Sequence, residues 1–164
     1  MVELKGEDIN DELLAELIKA GDIPESVTKL ILNFNKISDL SPLKSLLNLK
    51  HVNLDNNSIS DLSPLRDMQN LNFLRLDTNQ ISDLSPLKNL INLEELHLYS
   101  NQISNLEPLR NLTGLKILYL DLNKIKDVSP LKDLLNIEIL DLSGNYQIKD
   151  FSPIEHLPYT GILW

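Results

Sequence analysis

The hydrophobic positions of the chain recur with a fixed period of 22 residues from about Val27 onward. Each copy follows the pattern L-x-x-L-x-L-x-x-N-x-I-x-x-L-x-P-L-x-x-L, in which leucine or isoleucine fills most apolar places. The asparagine of the pattern returns at Asn35, Asn57, Asn79, Asn101, Asn123 and Asn145. A constant period of this length predicts a solenoid, in which each repeat packs on its neighbours.

The first half of each repeat predicts a β-strand with one buried face. In residues 73–77, leucine alternates with variable residues, which is the period of a strand. We expect about five to six such strands to pair in parallel, about 4.8 Å apart. The recurring asparagines should form a buried ladder behind them, since an amide can satisfy backbone donors and acceptors where each strand turns out of the sheet.

The second half of each repeat reads Asp-Leu-Ser-Pro-Leu, as at residues 61–65. The serine is interpreted as a helix N-cap, followed by proline at the first helical position. Only about five residues remain before the next strand, which predicts a single turn of 3₁₀ helix. The predicted fold class is therefore an α/β solenoid, a right-handed arc with a parallel concave β-sheet and short 3₁₀ helices on its convex side.

Residues 1–26 lie outside the period and predict an N-terminal helical cap that covers the first layer of the core. Their apolar residues fall at helical spacing, with Asn10 or Asp11 as the N-cap and Gly21 at the end of the helix. Residues 27–164 form six full repeats and one truncated repeat, so the chain is predicted to be one structural domain.

The last repeats depart from the pattern. One residue is inserted around Tyr146, which predicts a local bulge. Ile162 and Trp164 fall at inward positions, so Trp164 is predicted to close the end of the core. The alternative is an open strand edge at the C-terminus that pairs with a second copy of the chain.

The composition narrows the classes of partner. The formal net charge of −9 and the pI near 4.7 argue against nucleic acid and anionic membranes. The chain has no cysteine, which fits a cytosolic or bacterial protein. Neither a signal peptide nor a transmembrane segment is recognised, so the compartment stays open between the cytoplasm and a secreted protein whose signal has been removed.

The repeated string Asn-x-Ile-Ser-Asp-Leu-Ser-Pro-Leu resembles the 22-residue class of leucine-rich repeats. That class occurs in bacterial internalins and in the regulatory subunit of nuclear protein phosphatase-1, and the string is particularly similar to internalins. The resemblance covers about residues 27–164. It implies a protein-binding module without enzyme activity, and it leaves the partner unnamed.

The variable strand positions should face the concave side, where a partner would bind. Interface hot spots favour tyrosine, tryptophan and arginine near the middle of a patch. The predicted partner-binding residues are Asn53, Phe73, Arg75, Asp77, His97, Tyr99, Tyr119, Asp121 and Asp141. The alternative interpretation is that these are ordinary, scattered exposed side chains.

Two further pairs of residues are of types that could carry chemistry. Asp55 and Asp77 occupy one column on neighbouring strands and are interpreted as solvated carboxylates, with a site for a partner's basic side chain or a cation as the alternative. His51 and His97 lie two strands apart, about 10 Å, which is too far for a shared metal. The sequence therefore predicts no metal and no cofactor.

The sequence predicts no enzyme, because no Ser–His–Asp grouping stands outside the repeat register and no phosphate-binding loop is present. The predicted function is a non-enzymatic scaffold that binds a protein ligand on its concave face. The alternatives are an assembly module that associates through its C-terminal edge and a cytosolic protein that resembles the phosphatase regulator. A monomer is expected over a dimer.

Overall fold

The computed structural model describes residues 1–158 and contains one sheet of seven parallel strands in chain order. The strands are β1 (Val2–Glu3), β2 (Lys29–Ile31), β3 (His51–Asn53), β4 (Phe73–Arg75), β5 (Glu95–His97), β6 (Ile117–Tyr119) and β7 (Ile139–Asp141). The helix α1 (Asp11–Ala20) lies between β1 and β2. Short 3₁₀ helices follow the later strands at Ser41–Ser45, Ser63–Leu65, Ser85–Leu87, Glu107–Leu109, Ser129–Leu131 and Ser152–Ile154. The predicted solenoid of parallel strands and short helices is confirmed.

The register of the sheet follows directly from the constant repeat length. Phe73 pairs with Glu95 and Arg75 pairs with His97, so each residue lies beside the residue 22 positions later. The strands are three residues long, shorter than the predicted 73–77, because the chain turns at Thr78 with a φ of +55°. Equal repeats therefore stack equivalent side chains into straight columns across the sheet.

The core is a series of leucine and isoleucine layers between the sheet and the 3₁₀ helices. In the third repeat, Leu74, Leu76, Ile81, Leu84 and Leu87 are all buried, as predicted. Equivalent residues of the other repeats are also buried, except the partly buried Phe151, which packs against the same continuous cluster. Burial at about 25 cal/mol per Å² of apolar surface makes this cluster the main source of stability.

The asparagine ladder behind the strands is confirmed. The Asn101 side-chain amide donates to the carbonyls of Leu76 at 2.9 Å and Leu98 at 3.2 Å. Its oxygen accepts the backbone N–H of Ile81 at 2.9 Å. The same three contacts recur at Asn57, Asn79, Asn123 and Asn145. Each amide thus satisfies backbone groups of its own repeat and of the preceding one.

The predicted serine caps are wrong, because the aspartate or asparagine two residues before the first helical residue caps each 3₁₀ helix. Ser63 is the first helical residue, and its backbone N–H donates to Asp61 Oδ1 at 2.8 Å. The serine hydroxyl also donates to the same carboxylate at 2.8 Å. A short side chain that accepts the N–H two residues ahead forms an Asx turn. Asp39, Asp83, Asn105, Asp127 and Asp150 act in the same way.

A second asparagine ladder, which was not predicted, runs along the side of the 3₁₀ helices. The Asn92 side chain donates to the Gln69 carbonyl at 2.8 Å. Asn48, Asn70 and Asn136 make the equivalent contact with the preceding repeat. Gly114 occupies the fourth position of this column, between Asn92 and Asn136, and interrupts the ladder.

The N-terminal segment contains the predicted helix α1. Asn10 accepts the Leu13 N–H at 2.9 Å as the N-cap, and Gly21 ends the helix with a φ of +85°. The strand β1 was missed, because two residues carry no visible period, yet it pairs with β2 and extends the sheet. That residues 1–26 act as a cap with a boundary before residue 27 stays a prediction.

At the other end, the insertion near Tyr146 produces the predicted local irregularity. Gly144 has a φ of +72°, and Tyr146 is 85% exposed while Ile148 remains buried. The predicted closure of the core by Ile162 and Trp164 lies outside the described residues. No helix in residues 1–158 combines the length and apolar character that crossing a membrane requires.

Candidate functional site

The outer face of the sheet, called the sheet face below, is built from the two residues that flank the buried centre of each strand. In β4, Leu74 is fully buried whereas Phe73 and Arg75 are partly exposed. The same alternation holds in the other three-residue strands except β7, where Asp141 is also buried. The pairing of the strands confirms that the members of each predicted column are neighbours across the sheet. One column holds Lys29, His51, Phe73, Glu95, Ile117 and Ile139, and the next holds Ile31, Asn53, Arg75, His97, Tyr119 and Asp141.

An open depression of about 350 Å³ lies on the sheet face over β4 to β7. Its lining is Arg75, Asp77, His97, Tyr99, Tyr119, Asp121 and Asp141. The structure thus brings together seven of the nine predicted partner-binding residues. Asn53 lines an adjoining depression that also contacts Arg75 and Tyr99. Phe73 lies in a third one, beside His51 and Glu95.

A row of aromatic rings crosses the sheet face along four strands. His51 stacks on Phe73 with ring centroids 3.7 Å apart and planes inclined by 5°. Phe73 and His97 follow at 5.7 Å, and His97 and Tyr119 at 4.8 Å. Such ring pairs add about 0.5–1.5 kcal/mol beyond their buried area. The row therefore forms a partly apolar strip of the sheet face, and two of its rings, His97 and Tyr119, also line the depression.

The interpretation of Asp55 and Asp77 as solvated carboxylates is wrong. Asp55 is only 4% exposed, and Arg75 Nε lies 2.7 Å from its Oδ2 as an ion pair. The other end of the guanidinium donates to Asp77 Oδ2 at 3.1 Å. Arg75 therefore contacts both carboxylates, because its side chain projects from β4 between Asp55 and Asp77.

The remaining oxygens of these carboxylates bind backbone groups of the next repeat. Asp55 Oδ1 accepts the N–H of Asp77 at 2.8 Å, and Asp77 Oδ1 accepts the N–H of Tyr99 at 2.8 Å. Burial nevertheless raises the pKa of Asp55. Burial, with the neighbouring Asp55 charge, raises the pKa of Asp77 to about 6. These hydrogen bonds thus fix Asp55 and Asp77 in the sheet face, although burying their negative charge costs free energy.

His97 sits at the centre of the depression as a neutral ring. Burial, with the nearby Arg75 charge, lowers the pKa of His97 to about 4. Its Nε2 lies 3.7 Å from Glu95 Oε2 and has no hydrogen-bond partner within residues 1–158. At neutral pH His97 therefore contributes a ring surface and no charge.

Asp121 and Asp141 line the opposite end of the depression. Asp141 is 8% exposed, and its Oδ1 accepts the Ser143 N–H at 2.9 Å and the Ser143 hydroxyl at 2.7 Å. Burial, with the Asp141 charge, raises the pKa of Asp121. Neither carboxylate has an ion-pair partner in the described part of the chain. This end of the depression therefore carries uncompensated negative charge.

The part of the chain up to residue 158 contains no group of three or more His, Cys, Asp or Glu side chains placed to hold a metal. The arrangement is instead suited to contact: two tyrosine rings, one arginine and several carboxylates around an open hollow. Sequence reasoning placed Asp55 and His51 on this surface but did not include them among the partner-binding residues. The signal that could have found the ion pairs is an arginine two residues before one aspartate and 20 residues after another, as Arg75 stands to Asp77 and Asp55.

Comparisons with known proteins agree with this geometry. The family described as Leucine Rich repeats (2 copies) matches residues 25–67, 48–89, 69–111, 91–133 and 113–156. No curated protein matches the chain. Among solved structures, the chain is similar to the internalin inlF of Listeria monocytogenes, with a TM-score of 0.83 and 35% identity, over 96% of this chain and 45% of that one.

Two more structures from Listeria monocytogenes extend the comparison. An internalin C2 (inlC2) matches with a TM-score of 0.77 and 32% identity, over 98% of this chain and 78% of that chain. The functional domain of InlJ, described as including a cysteine ladder, matches with a TM-score of 0.72 and 23% identity, over 81% of this chain and 29% of that one. The last is a likeness of fold alone, and the present chain spans less than half of the inlF chain. The match of the repeat family and the similarity to inlC2 show that the chain belongs to the leucine-rich-repeat family and is internalin-like.

Proposed function

We propose that the chain is a non-enzymatic scaffold that binds a protein ligand on the sheet face, centred on the depression over β4 to β7. The main support for this proposal is that one hollow is lined by Tyr99, Tyr119, Arg75 and Asp141. Tyrosine and arginine are the residue types that most often dominate binding energy in protein interfaces. Leucine-rich-repeat domains in general act as protein-interaction modules, which supports the same assignment.

The dimensions of the sheet face also support a macromolecular ligand. Seven strands at a spacing of about 4.8 Å give a face about 29 Å long. A typical stable interface buries about 800 Å² on each partner. The hollow itself is open and shallow for a small-molecule site, since such sites enclose most of their ligand.

The test uses a displayed library of folded small domains that is panned on the immobilised chain. A selected ligand should bind the wild type and lose at least about 100-fold in affinity to the double variant Tyr99→Ala with Tyr119→Ala, as removal of two hot-spot residues implies. Thermal melting should change little, because both rings are partly exposed.

Tyr146→Ala is the matched control, because Tyr146 is 85% exposed and lies outside the sheet face. Its variant should keep wild-type affinity. Selected ligands that bind the Tyr99→Ala with Tyr119→Ala variant as tightly as the wild type would refute the proposal.

A further inference from the structure

The sheet face carries one pair of acidic side chains at each end, and the two pairs differ in whether a basic side chain neutralises them. At β3 and β4, Asp55 and Asp77 share the guanidinium of Arg75, at 2.7 and 3.1 Å. At β6 and β7, Asp121 and Asp141 have no such partner within residues 1–158. The first end shows that this surface can hold a basic side chain against two carboxylates. At the second end, Asp121 lies in the column of Asp55 and Asp77, whereas Asp141 lies beside Tyr119 in the column of Arg75.

The residue that replaces the arginine at the second end is a tyrosine. Arg75 pairs with His97, and His97 pairs with Tyr119, so Tyr119 occupies the position of Arg75 two repeats later. Its ring, with that of Tyr99, lines the hollow next to Asp121 and Asp141. Aromatic faces attract cations that lie within about 6 Å of the ring centroid. Around Asp121 and Asp141 the hollow is therefore lined by aromatic rings, whereas Asp55 and Asp77 contact the guanidinium of Arg75.

The other charged groups around the hollow do not neutralise these carboxylates. Arg75, the basic residue in its lining, is already bound to Asp55 and Asp77. His97 is neutral near pH 7, since burial lowers its pKa to about 4. The chain as a whole carries a formal charge of −9, which attracts basic partners over long range. Charge complementarity thus favours a positively charged occupant.

We propose that the protein ligand inserts an exposed basic side chain, an arginine in the first instance, between the Tyr119 ring and the carboxylates of Asp121 and Asp141. Arginine fits because its planar guanidinium stacks on aromatic rings and binds carboxylates with two donors at once. This inference rests on the proposed protein-binding function and adds the chemistry of the partner to it.

The probe is the peptide acetyl-Gly-Arg-Gly-amide, titrated into the isotopically labelled chain and followed by NMR. Its control is the same peptide with citrulline, which keeps the shape of arginine and lacks the charge. We expect the arginine peptide to shift the resonances of Tyr119, Asp121 and Asp141, and the citrulline peptide to bind about tenfold more weakly or not at all. Higher salt should weaken the arginine peptide selectively.

The variant Asp121→Asn with Asp141→Asn should lose the response to the arginine peptide. Asparagine keeps the backbone contact at this position, because Asn53 Oδ1 accepts the Asp55 N–H as Asp141 Oδ1 accepts that of Ser143. The variant Asp67→Asn with Asp133→Asn makes the same change in charge at exposed sites away from the sheet face and should respond like the wild type. Absent shifts, equal shifts with citrulline, or shifts that survive in Asp121→Asn with Asp141→Asn would overturn the inference.

The two proposals fail on different results. If the library-selected ligand depends on Tyr99 and Tyr119 but the arginine peptide gives no charge-dependent response, protein binding stands and the basic side chain is excluded. If the selected ligand ignores both tyrosines, the protein-binding proposal falls on that result, and the inference that rests on it falls as well.

Discussion

The Arg75 guanidinium lies 2.7 Å from the Asp55 carboxylate, and this contact explains how an acidic side chain that is 4% exposed remains on the sheet face. A buried carboxylate without a partner is costly, whereas a paired one that also accepts a backbone N–H is tolerated. The same guanidinium reaches Asp77 at 3.1 Å, so a single residue controls the charge of one end of the face.

Replacing Arg75 with methionine should therefore destabilise the fold in a pH-dependent way. Methionine keeps an apolar stem but leaves Asp55 and Asp77 facing each other without a cation. We expect the free energy of unfolding to fall by about 1–2 kcal/mol at pH 7, less than for a fully buried pair because Arg75 is partly exposed. The loss should shrink at pH 5, because the pKa of Asp77, raised to about 6, leaves that carboxyl group mostly protonated there.

Urea unfolding at both pH values measures this effect. Arg66→Met serves as the control, because Arg66 is exposed on the opposite side of the repeat. A loss that is the same at pH 5 and pH 7 would contradict the role given to the ion pairs.

Asp77 and His97 should give the stability opposite pH slopes. The pKa of Asp77 rises from 3.8 to about 6 on folding, so the folded state holds a proton that the unfolded state releases, and stability falls as the pH rises through this window. The pKa of His97 falls from 6.5 to about 4, so stability rises as the pH rises from about 4 to 6.5. In the wild type the two contributions largely offset each other.

Single substitutions separate the two slopes. In His97→Gln, chemical unfolding should report a stability that declines between pH 4 and 6, because Asp77 is left unopposed. In Asp77→Asn, the stability should increase over the same range. Parallel curves for the wild type and both variants would show that neither group titrates in this manner.

The fold could be predicted almost completely, because the features that determine it repeat. Leu74 and Asn101 occupy positions that recur every 22 residues, so each is supported by several equivalent places in the chain. Non-repeated features were missed for the same reason. The strand β1 is two residues long, and the ion pairs of Arg75 depend on one basic residue that no other repeat contains at this position.

The serine caps illustrate a different limit. Both Asp61 and Ser63 are residue types that cap helices well. The sequence does not reveal where the helix begins, and therefore which of the two side chains caps it. The site was predicted to the level of the columns, since strand alternation determines which residues point outward. The contacts among them depend on side-chain conformations, as in the stacking of His51 on Phe73, which column membership alone does not determine.

The asparagine ladder should carry measurable stability. Asn101→Ala removes an amide that donates to three backbone carbonyls and accepts one backbone N–H, all of them buried or partly buried. We expect a loss of about 2–3 kcal/mol in the free energy of unfolding. Asn92→Ala removes one exposed contact of the second ladder and should cost less than about 1 kcal/mol. Equal losses in thermal or urea melts would contradict the ranking.

Gly114 marks a place where the second ladder can be completed. An added Cβ would lie 3.3 Å from the Ile91 carbonyl oxygen, which is close but requires only a small adjustment. Gly114→Asn should raise the free energy of unfolding by about 0.5–1 kcal/mol, from one new contact and a less flexible unfolded chain. Gly114→Ala isolates the second effect and should gain less. An asparagine variant that melts below the alanine variant would exclude the new contact.

The most direct test of the binding surface is photo-crosslinking of a library-selected domain to the chain, with benzoylphenylalanine in place of Tyr119 or of Leu135. Leu135 is 61% exposed and lies outside the sheet face, so both positions offer an accessible reactive group. We expect a crosslink from position 119 and none from position 135. A crosslink from position 135 alone would contradict the central claim that the sheet face holds the ligand.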